Sequence, residues 1–339
     1  MEIGIDSFVA TVVGSEAEAP ARGAVRVAQL MEEMELADRV GLDVFGIGEH
    51  HREEYIASSP AVLLAAGAAR TRRIKLASAV TVLSSDDPVR VFQDFATLDL
   101  ISQGRAEIIV GRGSFVESYP LFGFDMQHYD ELFAEKLDLL LKLREETRVT
   151  WAGKHRSSLS GQGVWPRPLQ ARLPIRLGVG GTPQSFARAG LLGLPLTVAI
   201  IGGEPHRFRP LIDLYRKAGE QAGHAASSLT VAVHALGFVG ETDEEAAEDL
   251  WPSHFETFSR IGRERGWAPT TRAAFDAQRG PTGAFVVGSP ETVGAKMRRI
   301  SEALGGVERV TLMMSGGSLA HAKMLKAIEL MGTRVKGMV

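Results

Sequence analysis

Short apolar segments alternate with amphipathic segments along almost the whole chain. Eight of the apolar segments are rich in β-branched residues, and most are continuous, which is typical of parallel strands covered by helices. These predicted strands are Ile3–Val9, Asp43–Gly48, Ile74–Leu83, Ala106–Gly111, Ile175–Gly180, Leu196–Ile201, Thr230–Val239 and Arg309–Met314. Their number and spacing predict a chain built around one parallel sheet.

The segments between the strands have the spacing of amphipathic helices. The clearest is Val25–Val40, where apolar residues repeat along one face and Gly41 follows as a residue that ends helices. Two more helices are predicted at Val89–Ile101 and Glu131–Glu146. Eight strands in alternation with helices predict the α/β fold class, specifically a (β/α)₈ TIM barrel.

A doubly wound sheet is the structural alternative, but it usually carries a glycine fingerprint after its first strand, which Phe8–Gly14 does not supply. The barrel leaves three insertions: Arg112–Asp130 after strand 4, Val149–Arg172 before strand 5 and Trp251–Gly288 before strand 8. We expect the second to be irregular or a small hairpin, and the third to be an ordered excursion or a mobile lid. No segment has the composition of a linker, so residues 1–339 are predicted to form a single domain.

The composition narrows the class of protein. Of the 339 residues 45% are hydrophobic and 23% are charged, and the formal net charge of −3 provides no basic surface for nucleic acid. The chain has no cysteine, which excludes disulfides, thiolate nucleophiles and zinc–cysteine sites. The first residues lack the basic start of a signal peptide, and no apolar run approaches the roughly 18 residues of a membrane span. We therefore expect a cytoplasmic protein that does not contact membranes.

Active sites of (β/α)₈ barrels lie at the carboxyl ends of the strands. Predicted strand 2 runs into Glu49, His50 and His51, and an imidazole beside a carboxylate can transfer a proton while the acid orients it. A hydrogen-bonded loop histidine is the alternative. We predict no metal site, because neither an HxH nor an HExxH pattern occurs.

Two neighbouring strand ends could hold a phosphorylated ligand. Strand 4 ends in Arg112 and Gly113, and a guanidinium forms paired hydrogen bonds with phosphate, although it could equally pair with a surface carboxylate. Strand 5 ends in Gly180, Gly181 and Thr182, directly before a helix whose first N–H groups favour an anion, or which is simply capped there. Because the two strands are adjacent, both ends could grip one phosphate.

The end of strand 3 is the fourth candidate. Its small residues Ala79 and Val80 would let a flat ligand lie against the backbone, although by themselves they are better explained as barrel core.

Several motifs occur in a characteristic order: Glu49-His50-His51, Ala96–Arg105, Gly111-Arg112-Gly113, Phe122-Gly123 and the helix start at Gly288–Val293. This set resembles the bacterial luciferase-like monooxygenase family, whose members are flavin-dependent oxidoreductases built on a (β/α)₈ barrel. The resemblance spans most of the chain, and the ordered set is specific to the family although no single motif is.

The resemblance implies a role for each site residue. His50 would be the catalytic acid or base, with Glu49 orienting it, and a non-prolyl cis peptide beneath the flavin ring would join Ala79 to Val80. The cofactor-binding residues implied are Ala79, Val80, Arg112, Gly113, Gly180, Gly181, Thr182 and Ser185.

The sequence also departs from the family pattern. Luciferases have a second phosphate-contacting arginine where this chain has Gln127-His128-Tyr129-Asp130, and Gly111 stands where luciferases can have a reactive cysteine. Phosphate binding would therefore rely more on backbone donors, or the cofactor would differ.

The resemblance implies an FMN-dependent monooxygenase that uses reduced flavin and O₂ on a small organic substrate. An F420-dependent oxidoreductase of the same fold and a non-catalytic flavin-binding protein are the alternatives. A partner flavin reductase that supplies reduced FMN and a homodimeric state are further expectations, and neither nucleic acid nor a membrane is expected as a partner.

Overall fold

The computed structural model describes residues 1–339, and a closed barrel of eight parallel strands forms its centre. The strands are β1 Glu2–Ser7, β2 Val44–Ile47, β3 Lys75–Ser78, β4 Ala106–Gly111, β5 Ile175–Val179, β6 Leu196–Ile200, β7 Val231–Val239 and β8 Arg309–Met313. Each strand pairs with the next one along the chain, and β8 pairs in parallel with β1, which closes the sheet. The predicted TIM barrel is therefore confirmed.

Helices surround the barrel and follow the predicted alternation. They are α1 Ala19–Arg39, α2 Pro60–Ala68, α3 Pro88–Ser102, α4 Ser118–Leu121, α5 Tyr129–Glu145, α6 Pro183–Leu191, α7 Arg209–Gln221, α8 Asp243–Arg265, α9 Arg272–Arg279, α10 Pro290–Leu304 and α11 His321–Leu330. Local capping explains several boundaries. Asp87 accepts hydrogen bonds from the first free N–H groups of α3, and Gln103 ends that helix in a left-handed conformation with φ of 57°.

The three extra segments have different structures. The one after β4 holds the short helix α4, and the one before β5 forms an antiparallel hairpin of Arg148–Trp151 and Leu159–Gly163. In the third, Trp251 lies inside α8, which continues unbroken to Arg265. Helix α9 and the short strand Val286–Gly288, which pairs in parallel with β7, complete that segment.

The third strand is interrupted at the mouth of the barrel. The sequence suggested one strand over Ile74–Leu83, but β3 ends at Ser78 and the Ala79–Val80 peptide bond is cis. Pairing resumes at Thr81–Val82, which lies beside β4. The expected cis bond is thus present, and it places both residues where the barrel opens.

Charged side chains close the other end of the barrel. Arg309 of β8 is buried and pairs with the buried Glu107 of β4, with 3.1 Å between Nη2 and Oε2, and with Glu2 of β1 at 2.8 Å. Outside the barrel, a cluster of 71 buried apolar residues joins strands to helices. The interior at this end of the barrel is therefore filled by ion-paired side chains.

Candidate active site

A cavity of about 400 Å³ opens at the carboxyl ends of the strands. Most predicted site residues line it, including Glu49, His50, the cis pair, Arg112, Gly113, Gly180 and Thr182. Gly181 and Ser185 are not among the lining residues, although Ser185 contacts one of them. The sequence therefore placed most of its candidates on one surface.

His50 is enclosed by aromatic rings. Its ring centroid lies 4.3 Å from that of Phe8, 4.6 Å from Tyr55 and 5.1 Å from Phe115, and the residue is only 7% exposed. Its Nε2 is buried and has no hydrogen-bond partner in the protein. Burial, together with the nearby positive groups of His51 and Arg52, lowers the pKa of His50 to about 3. The imidazole is therefore neutral at physiological pH.

Glu49 does not orient His50, which corrects the predicted pairing. Its Oε1 lies 2.9 Å from Nε2 of His51, and its Oε2 accepts a hydrogen bond of 2.8 Å from the backbone N–H of Val82. Successive residues after β2 point in different directions, so the carboxylate reaches the second histidine and the strand beyond. Glu49 thus fixes the loop that carries His50.

Glycines on the neighbouring strands make room for Val80. A Cβ atom on Gly111 would lie 2.7 Å from Cγ2 of Val80, and one on Gly178 would lie 2.9 Å from its Cγ1. Real Cβ atoms essentially never approach other atoms so closely. The glycine at position 111, which departs from the luciferase pattern, is therefore required by the shape of this wall.

Arg112 connects the ends of β4 and β5. Its Nη2 donates to Oγ of Ser185 at 3.2 Å, and its Nη1 donates to Oδ1 of Asp130 at 2.5 Å. The guanidinium also lies over the ring of Tyr129. Arg112 is 24% exposed and Asp130 is 74% exposed. The alternative interpretation, pairing with a surface carboxylate, is therefore observed, while phosphate binding by the same arginine stays a prediction.

The β5 loop leaves open space next to this arginine. Gly180 has no heavy atom within 4 Å of the position that a Cβ would occupy, and Gly181 has φ of 139°. Thr182 precedes α6, and its side chain makes no capping hydrogen bond. Pro183 has no N–H and Ser185 donates its N–H to the carbonyl of Thr182, so few backbone donors of this turn remain for a ligand.

The sequence missed a pair of side chains in the barrel interior. Asp6 of β1 and His234 of β7 both line the cavity, and 2.7 Å separates Oδ2 of Asp6 from Nδ1 of His234. The hydroxyl of Thr311 in β8 also donates to Asp6. Nothing local marks these residues, since 228 positions separate the acid from the histidine.

The outer side of the cavity is formed by the end of α8 and the residues after it. Phe258, Ile261, Arg265 and Trp267 line it there. Arg265 donates to the backbone carbonyl of Ser114 and lies over the ring of Phe115, at 5.0 Å from its centroid. The insertion before strand 8 thus covers the site.

Outside the cavity, His128, Glu131 and His155 place three potential metal ligands within 4.8 Å of one another. The ammonium group of Lys154 donates a hydrogen bond of 2.8 Å to Oε2 of Glu131. A cation there would have to displace this lysine, and our prediction that the protein has no metal site stays a prediction.

A (β/α)₈ barrel with a largely apolar cavity and perturbed ionisable groups at its carboxyl end defines an enzyme of the barrel class. A family model described as luciferase-like monooxygenase matches residues 1–307. The chain therefore belongs to the luciferase-like monooxygenase family, and it is an oxidoreductase. In addition, none of its helices combines the length and apolar character needed to cross a membrane.

Among curated relatives, 4-hydroxyprotoasukamycin monooxygenase from Streptomyces nodosus subsp. asukaensis is 27% identical over 303 residues, covering 83% of this chain and 79% of the relative. Several other relatives match over only about half of their own length, for example 48% and 45%.

Three solved structures have the same fold. Monooxygenase RslO1 from Streptomyces bottropensis has a TM-score of 0.85 and 22% identity, with 99% of each chain covered. The oxygenating constituent of 3,6-diketocamphane monooxygenase from Pseudomonas putida, in complex with FMN, has a TM-score of 0.79 and 20% identity, covering 100% of this chain and 98% of the other. An F420-dependent secondary alcohol dehydrogenase has a TM-score of 0.76 and 17% identity, covering 100% and 99%.

Proposed function

We propose that this oxidoreductase binds FMN and uses reduced FMN with O₂ to oxygenate a small organic substrate. The contact between Arg112 and Ser185 carries the proposal, because it joins the ends of β4 and β5 into one anion-binding site at the edge of the cavity. The FMN bound by the 3,6-diketocamphane enzyme supports the choice of cofactor.

Three features of the chain fit a flavin that carries a phosphate. The Arg112 guanidinium offers several N–H donors, and the open space at Gly180 lets a phosphate approach the backbone. His50 lines the same cavity, so a ligand held there would lie beside its ring.

Asp130 competes with phosphate for Arg112, and the magnitudes favour phosphate. An exposed ion pair contributes about 0–1 kcal/mol. A phosphate carries a charge of about −1.5 to −2 and accepts several hydrogen bonds at once. Because Asp130 is 74% exposed, it can turn into solvent when the ligand binds. The ion pair with Asp130 therefore tunes affinity and does not block the site.

When bound, reduced flavin supplies the electrons with which one atom of O₂ enters the substrate and the other becomes water. The chain binds and orients the reactants and keeps bulk water out. Phe8, Tyr55 and Phe115 form the apolar surroundings of His50. His50 is neutral there, so it acts as a hydrogen-bond partner and not as a cation.

Titration with FMN and with riboflavin tests the proposal, because riboflavin lacks only the phosphate. We expect the wild-type protein to prefer FMN, and Arg112→Ala to remove most of that preference. A charge-assisted hydrogen bond contributes about 1.5–3 kcal/mol, which corresponds to about 10- to 150-fold in Kd. Arg209→Ala, which removes a surface arginine paired with Asp213, is the matched control.

Asp130→Ala should leave FMN affinity unchanged or tighten it. Equal affinity of the wild-type protein for FMN and riboflavin would contradict the phosphate site. The same titration with F420 decides between cofactors, and binding of F420 without FMN would replace the monooxygenase proposal by hydride transfer. Oxygen consumption with a flavin reductase and a panel of small substrates tests the oxygenase activity.

A further inference from the structure

Polar side chains from three strands meet inside the barrel, directly under the cavity. Asp6, His234 and Thr311 come from β1, β7 and β8, and all three are buried. Gly46 of β2 lies opposite Asp6 in the sheet register, and a Cβ at this position would collide with the Asp6 carboxylate. Glycine at position 46 therefore leaves room for the Asp6 carboxylate in the interior of the barrel.

The Asp6 carboxylate determines which nitrogen of His234 carries the proton. A carboxylate only accepts hydrogen bonds, so in the neutral form of the ring Nδ1 of His234, 2.7 Å from Oδ2, carries the proton and Nε2 is the nitrogen that can accept one. It makes no hydrogen bond within the protein and is not among the fully buried atoms. Since His234 lines the cavity, Nε2 can meet a ligand only there.

The two histidines of the cavity are therefore different. His50 has no carboxylate partner, because Glu49 is bonded to His51 and to Val82. His234 has a carboxylate at Nδ1, which both orients the ring and stabilises the imidazolium that forms when Nε2 takes up a proton. Of the two, only His234 has the arrangement of a general base.

We propose that His234 is a catalytic proton-transfer residue of this site, that Asp6 is its positioning residue, and that the substrate carries a weakly acidic hydroxyl group. This inference rests on the proposed function for the identity of the reaction. In the step, the substrate O–H bond breaks, its electron pair stays on oxygen, and the proton forms an N–H bond at Nε2. The proton returns from the imidazolium to the product or to water, so His234 ends unchanged.

Diethyl pyrocarbonate tests the geometry without any substrate, because it acylates accessible, unprotonated imidazole nitrogens. We would measure the acylation rate of each histidine in the full-length protein by peptide mass spectrometry. His234 should be acylated in the wild-type protein, because its Nε2 is unpaired and not fully buried. Asp6→Asn should slow His234 at least tenfold, because an asparagine amide can donate to Nδ1 and thereby move the ring proton to Nε2. Asp138→Asn, which alters a partner of Trp151 away from the cavity, is the control.

Absence of acylation at His234 in the wild-type protein, or a rate that Asp6→Asn does not change, would overturn the inference. A kinetic experiment would use a substrate found in the oxygen-consumption screen. His234→Gln should lower kcat by about 10²-fold or more while FMN affinity stays within threefold. Wild-type kcat in this variant would also overturn the inference. Failure of wild-type protein to bind FMN would instead refute the proposed function, and the acylation result would still decide the state of His234.

Discussion

Replacing His50 with phenylalanine should make the protein less sensitive to acid. In the folded protein burial lowers the pKa of His50 to about 3, whereas in the unfolded chain it titrates near its ordinary value of 6.5. Below pH 6.5 the unfolded chain therefore binds a proton that the folded protein excludes, and stability falls as the pH falls. The loss begins near 6.5 and is complete only near 3. Phenylalanine keeps the aromatic packing with Phe8 and Tyr55 and removes the titration.

The expected loss of stability at pH 5 is set by protonation of His50 in the unfolded chain. Because pH 5 lies about 1.5 units below 6.5, protonation favours the unfolded state about 30-fold, or about 2 kcal/mol. The expected free-energy loss is nearly the same whether the pKa of His50 in the folded protein is 3 or 4, because pH 5 lies above both values. His254, packed against Phe258 and Phe275, has its pKa lowered by burial to about 4 and should contribute a similar amount. Together they remove about 4 kcal/mol between pH 8 and pH 5.

Denaturant unfolding at pH 8 and pH 5, followed by tryptophan fluorescence, measures the effect. The difference in free energy of unfolding between the two pH values should shrink by about 2 kcal/mol in His50→Phe. His50→Phe should also be more stable at pH 8, because an unpaired buried nitrogen costs about 1–3 kcal/mol. If the variant keeps the full pH dependence of the wild-type protein, His50 is not held neutral by its surroundings.

Three further predictions concern the cofactor site and the barrel interior. Gly180→Ala should not change stability, since its Cβ would meet no atom within 4 Å, but it should weaken FMN binding in a titration. Gly202→Ala is the control, because a Cβ at that position would also meet no atom within 4 Å. Gly111→Ala should push Val80 towards the cavity, costing about 1–3 kcal/mol in denaturant unfolding and weakening FMN binding. Arg309→Met should cost about 3–5 kcal/mol by leaving Glu107 buried without a partner.

Each of these three has an outcome that would contradict it. Unchanged FMN affinity in Gly180→Ala would place the phosphate elsewhere. Wild-type stability and affinity in Gly111→Ala would mean that Val80 has room to move. For the ion pair, addition of Glu107→Leu to Arg309→Met should restore much of the lost stability, because no buried charge would then remain unpaired. Failure of that restoration would show that the arginine stabilises the barrel in some other way.

Much of the fold could be predicted because its signals are local. Continuous apolar runs correspond to all eight barrel strands, and the capping residue Ser289 with Pro290 marks the start of α10. The interruption after Ser78 could not be found by periodicity, because the residues on both sides are equally apolar. The extent of α8 was also missed, since polar and aromatic residues around Trp251 obscure its helical pattern.

The site was predicted less completely, and the reason is side-chain direction. The motif containing Glu49 and His50 was visible in the sequence, but which histidine the carboxylate contacts depends on how the loop turns. Similarly, Arg112 and Ser185 were both predicted to bind the cofactor, and the structure places them in contact. That Arg112 also forms a salt bridge with Asp130 was not decided by the sequence, because pairing with a surface carboxylate was only one of its two interpretations. Adjacent residues in a sequence need not be partners in a site.

By itself, the sequence determined the barrel, the family and most of the strand ends that line the cavity, because hydrophobic periodicity and short motifs are properties of neighbouring residues. Only the tertiary structure decided that Glu49 bonds to His51, that His50 is buried among aromatic rings, and that Asp6 lies against His234. The last pair joins the first and seventh strands, and closure of the barrel alone brings them together. Burial lowers the pKa of His50, and pairing at long sequence separation joins Asp6 to His234; no local pattern encodes either.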